Sequence, residues 1–136
     1  MTNWADSLVK LATYEVETLQ KRLAEVMTER IRLETRLAVL EAEGEAEVAA
    51  AAKDPQTAWR IVGYMQALEA RKEVVRAELH AAALEEQGAR DALAQAFESQ
   101  KKYEQVVEQA QKLAVKEAGR REGAQLDEVG LRRAGR

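Results

Sequence analysis

The chain has 136 residues, a formal net charge of −3, 33% charged residues and only 4% aromatics. So few aromatics, a single Pro and an abundance of Ala, Glu, Leu and Arg exclude an ordinary globular core and favour long helices. The absence of Cys excludes a disulfide frame and a thiolate metal site and suits a reducing cytosol; the negative balance argues against a general nucleic-acid binder, and no apolar run approaches the roughly 18 residues that span a membrane.

Asn3 is placed to cap a first helix, and Asp6 complements the positive end of its dipole. No signal-peptide pattern opens the chain. A seam then advances in alternating steps of four and three: Ala5, Val9, Ala12, Val16, Leu19, Leu23, Val26, Arg30, Leu33, Leu37, Leu40, Gly44. A repeat averaging about 3.5 residues keeps one stripe of a helix against a partner in a left-handed supercoil. Leu8, Leu11, Met27 and Ile31 are expected to widen the stripe. Arg30 is the one charged seam residue, and two readings fit it. Its stem packs while its head reaches the edge, or it fixes register against an acidic residue of the second helix. Glu41 to Glu47 reads as solvated helix loosened at Gly44, and Val48 to Ala52 as strong helix former with little packing mass.

Asp54-Pro55 breaks the pattern, with Asp54 expected as the cap and Pro55 as the first residue of a second helix. A second seam follows: Ile61, Met65, Leu68, Lys72, Val75, Leu79, Ala82, Glu86, Ala89, Leu93, Ala96, Gln100, Tyr103, Val107, Ala110, Ala114. Such a helix runs on the order of 85 Å at about 1.5 Å per residue. Two long periodic segments joined by a short turn near 53–56 predict an all-α, antiparallel coiled-coil hairpin over residues 1–117. Its best-packed stretch is expected where Leu33, Leu37 and Leu40 meet Leu68, Val75 and Leu79. Trp59 and Tyr64, just past the turn, fit either tip packing or a partner-binding patch, since Trp and Tyr are enriched at interfaces.

Folding about residue 54 exhausts the first helix near residue 106 of the second, so the remainder is expected to overhang. From 118 to 136 five Arg stand against three acids, whereas residues 3–52 carry a net charge of −4. Gly119, Gly123, Gly130 and Gly135 weaken helix there. This basic tail is expected to be a frayed helix or disordered, either merely solvated or a docking segment for an acidic partner surface.

Catalytic chemistry is missing from the pattern. His80 is the only His and flanks the seam, and Ser7 and Ser99 are isolated. No phosphate loop, nucleophile elbow or metal-ligand spacing occurs. The expectation is no enzyme, no cofactor and no metal. A nucleic-acid-binding arm would rest on the tail Arg residues alone, without interleaved aromatics.

Ala96-Phe-Glu-Ser-Gln-Lys-Lys-Tyr-Glu104, followed by Gly119-Arg-Arg-Glu-Gly-Ala-Gln-Leu-Asp-Glu-Val129, resembles the FliJ family of flagellar export proteins. The shared features are the basic pair Lys101 and Lys102 before Glu104, then the Arg/Glu/Gln-rich run from Arg120 to Asp127 and Glu128. Length, the mid-chain turn and the aromatics after it also fit. The resemblance implies a cytoplasmic two-helix stalk, peripheral at the flagellar base, that escorts substrate chaperones. It implies binding to a hexameric export ATPase ring, with Arg120, Arg121, Leu126, Asp127, Glu128, Arg132 and Arg133 as candidate contacts. It also implies binding to the cytoplasmic domain of the export-gate membrane protein, with Trp59 and Tyr64 as candidates. A structural coiled-coil adaptor of an unrelated assembly is the alternative. Relative to more basic members of the family, this chain has an acidic body.

Overall fold

The computed structural model describes residues 3–135, with side chains from Trp4 onward. Helix α1 runs Asn3–Lys53, a short 3₁₀ turn covers Ala58–Arg60, and helix α2 runs Ile61–Ala134. The two helices pack antiparallel as an all-α hairpin, with no strand among the described residues. The Asn3 side chain, expected as a cap, lies outside what is described.

The turn departs from expectation. Asp54 does not cap α2. Its Oδ1 accepts the Gln56 N–H at 3.2 Å, its Oδ2 accepts the Thr57 hydroxyl at 2.9 Å, and its carbonyl accepts the Thr57 N–H at 3.2 Å. The carboxylate is thus consumed inside a local turn, a conformation that Asp competes for effectively. The 3₁₀ turn then intervenes, and α2 begins at Ile61 instead of Pro55. The fold point moves further along the chain, and so does the pairing: Gly44 meets Leu68, Arg30 meets Glu86, and Thr13 meets Gln100. Helix α1 therefore covers its partner as far as Ala110, a little beyond the expected limit near residue 106.

Contacts divide the chain into two units. One is Leu19–Leu93, which contains the turn. Its core is Leu33, Leu40, Leu68, Val75 and Ala82, with Leu37, Tyr64, Met65 and Leu79 packed against it. Leu40 and Leu68 are fully buried. The seam charge Arg30 takes the register-fixing role. Its Nε donates to Glu86 on α2 at 3.1 Å and its Nη1 to Glu34 at 2.8 Å. Arg90 also donates to Glu86, at 3.3 Å. The bond to Glu34 and the field of Glu86 raise the Arg30 pKa above its ordinary value. Two seam charges on opposite helices thus satisfy each other, and a slip of either helix would separate them. Arg22 also bonds Glu85 across the hairpin.

The other unit joins the residues up to Thr18 with those from Ala94 onward. Ala5, Ala12, Val16 and Ala96 are buried there, and the Gln100 amide donates to the Thr13 hydroxyl at 3.1 Å. Small seam residues bring the helices together with little apolar volume between them. Beyond Ala110 every described residue of α2 is exposed except Glu117, which is half-buried.

All the predicted seam positions of α1 are buried or half-buried, as are those of α2 up to Ala110. Two of the four widening residues are not: Leu11 is 71% exposed and Ile31 52%. Leu8 and Met27 directly flank the seam, whereas Leu11 and Ile31 sit one position further round. A seam only two helices thick cannot cover them.

Gly44 does not loosen the helix. It is buried, and a Cβ built there would lie 2.6 Å from Leu68 Cδ2. Glycine is used here for close approach. Gly88 faces open space, with nothing within 4 Å of a built Cβ. The two glycines should therefore respond oppositely to alanine. Gly88→Ala is expected to stabilise by about 1 kcal/mol through helix propensity alone. Gly44→Ala gains the same propensity but overpacks a fully buried Leu, a cost of about 1–3 kcal/mol, so it should be destabilising overall. Urea unfolding of the two variants checks the difference in sign.

The segment expected to be frayed or disordered is regular helix through Gly119, Gly123 and Gly130 to Ala134. Each glycine weakens the helix, yet Ala, Arg, Glu, Gln and Leu around them are strong formers. Arg120 and Arg121 both bond Glu117, and Arg132 bonds Glu128, within i,i+3 or i,i+4 reach.

Candidate partner-binding site

At the turn the two candidate aromatics part company. Trp59 belongs to the 3₁₀ turn and is 72% exposed, with the Arg60 guanidinium 5.3 Å from its ring centroid. Tyr64, one turn into α2, packs against the core cluster. It also lines a shallow groove with Ala51, Asp54, Thr57 and Ile61. Of the two uses read from sequence, tip packing describes Tyr64, while Trp59 stays exposed. Trp59 is available to a partner, and Tyr64 is largely committed to tip packing.

The second candidate is the free end of α2. Arg120, Arg121, Leu126, Asp127, Glu128, Arg132 and Arg133 are all exposed on one continuous helix. They do not converge on one face. At 3.6 residues per turn they are distributed around the whole cylinder. The segment is also less basic than its composition implies, because Glu117 lies just before it. Glu117 accepts from Arg120 at 2.7 and 3.1 Å and pairs with Arg121 at 3.5 Å. The hydrogen bond from Arg120 holds the Glu117 carboxyl below the ordinary carboxylate range. This support is therefore complete above that range and is lost as pH falls through the depressed value. Exposed apolar side chains accompany the charges: Leu113, Val115, Leu126, Val129 and Leu131.

A third exposed group lies on α1 and includes Leu11, expected on the buried stripe. Trp4, Leu11 and Tyr14 on α1 are 59%, 71% and 71% exposed. Their signal is apolar residues off the seam at helical spacing. Among the described residues no group of metal-ligating side chains gathers, and no helix is long and apolar enough to cross a membrane. His80 is exposed.

A family profile described as "Flagellar FliJ protein" matches residues 6–136. The chain belongs to the FliJ family. Two curated relatives, each called flagellar FliJ protein and each from a strain of Caulobacter vibrioides, are 47% identical over 134 residues. That covers 98% of this chain and 96% of each relative. No solved structure matches the chain. Membership of the FliJ family makes the protein a flagellar export component. The helical hairpin and the extended second helix are thus features of a member of that family.

Proposed function

We propose that this FliJ-family protein is a non-catalytic stalk and chaperone escort of the flagellar export apparatus. In this reading the free end of α2 engages a hexameric export ATPase, and Trp59 contributes to a contact with the export gate. The observation that carries it is the length mismatch: among the described residues α1 covers α2 only as far as Ala110, and the helix continues to Ala134 with no partner among them. A ring surrounds what it grips. A single helix with charged and apolar side chains on every face suits such a binding site better than a flat, one-sided partner. The acidic body favours contacts confined to this end over a general electrostatic grip on the ring.

The test is reconstitution with the cognate export ATPase. Addition of the full chain should raise ATP hydrolysis and co-elute with the hexamer. An ATPase that neither binds nor responds to the chain would favour the coiled-coil adaptor. For the gate, Trp59→Ala should weaken binding to the gate's cytoplasmic domain without loss of helicity. Tyr64→Ala should lower thermal stability, because Tyr64 packs on the core. Unchanged binding by Trp59→Ala would remove the tip from the proposed interface.

A further inference from the structure

We infer that the free end of α2 carries a self-complementary face, Glu122, Leu126, Val129 and Arg133, that pairs antiparallel with the same face of a second copy of this chain. The four residues follow the four-three-four spacing that builds the hairpin seam, and so share one side of the helix. They lie on a different side from the seam's own continuation through Arg121 and Glu128. Leu126 is 72% exposed and Val129 44%, and with Glu122 and Gln125 they line a shallow groove.

The charges select the occupant. Elsewhere on this segment Arg120 and Arg121 pair with Glu117, and Arg132 with Glu128. Glu122 and Arg133 make no ion pair among the described residues, and they bracket the two apolar side chains. An antiparallel pairing centred between Asp127 and Glu128 sets Leu126 against Val129 of the second copy and Glu122 against its Arg133. Both contacts then occur twice, as a two-fold axis requires. A parallel pairing would instead oppose Glu122 to Glu122 and Arg133 to Arg133. Gly119, Gly123 and Gly130 border the face, and apart from the helix's own adjacent backbone no described atom lies within 4 Å of a Cβ built at any of them. No close approach among the described residues requires these glycines, whereas a closely approaching second backbone would. Two apolar residues per chain make a small interface, so the pairing is weak and reversible. It does not depend on the proposed ring contact. A chain paired in this way cannot present the same end to a ring.

Sedimentation equilibrium of the full chain at rising concentration tests the inference. The average mass should move from one chain toward two. Leu126→Asp should hold the protein at one chain throughout, with circular dichroism confirming an intact hairpin. Glu122→Arg and Arg133→Glu should each lose the association alone and recover it when mixed, because each supplies the charges that the other lacks. The double variant E122R/R133E should also associate. A wild-type chain that stays single at every concentration would overturn the inference. So would association indifferent to Leu126→Asp, or a mixture no better than its separate components.

Discussion

Leu68→Ala is expected to lower the stability of the hairpin by about 3 kcal/mol, within the roughly 2–5 kcal/mol range for buried Leu. Leu68 is one of the two largest fully buried side chains among the described residues, and the core around it is a single seam. A small domain is stable by only about 5–15 kcal/mol in total, so the loss is a large fraction. Val62→Ala and Leu84→Ala, at positions 63% and 64% exposed, should each change stability by less than about 0.5 kcal/mol. The decisive measurement couples Leu68 to Gly44. In the wild-type background Gly44→Ala overpacks Leu68 Cδ2. In the Leu68→Ala background that atom is gone, and the added methyl occupies vacated space while supplying about 1 kcal/mol of helix propensity. Gly44→Ala should thus reverse from destabilising to stabilising, a coupling of about 2 kcal/mol. Additive effects in urea unfolding would mean that the two residues do not touch.

The seam was readable because its cause is local and repetitive. One residue type recurring every three or four positions specifies a buried stripe whatever lies opposite. Arg30 shows where that logic thins. Its seam position was legible, but the choice between an edge-seeking head and a partnered one depended on Glu86 arriving opposite it. The pairing of the helices is set by the turn, whose Asp54 contacts and added 3₁₀ segment no periodicity encodes. Gly44 was misread for a related reason: a helical glycine looks like weakness until the Leu68 side chain that needs its missing Cβ is in place. The candidate site was legible as an overhang, since two helices of unequal length must leave one end unpaired. Its character was not. A boundary drawn at residue 118 left out Glu117, the carboxylate that engages Arg120 and Arg121. Glycine count alone overstated the fraying of a segment otherwise rich in helix formers.

Truncation after Ala118 is expected to separate stability from function. Every described side chain of the removed segment is exposed, so it adds no packing to the described hairpin. The core around Leu40 and Leu68 and the buried alanines Ala5, Ala12 and Ala96 remain. The melting temperature should therefore stay within a few degrees of wild type, since surface changes away from packed features are near neutral. Under the proposed stalk role the same truncation should abolish stimulation of the export ATPase and weaken binding to its hexamer. The combined variant R120E/R121E should weaken binding only in part. Both arginines are engaged with Glu117, and reversal replaces that pairing with like-charge repulsion while Leu126 and Val129 are untouched. Its defect should be larger at low salt, because screening lengthens from about 8 Å at physiological ionic strength to about 30 Å at 0.01 M. Full stimulation by the truncated hairpin would move the ATPase contact off the free end of α2 and onto the paired helices. The exposed Trp4, Leu11 and Tyr14 of α1 would then be the next apolar group to replace.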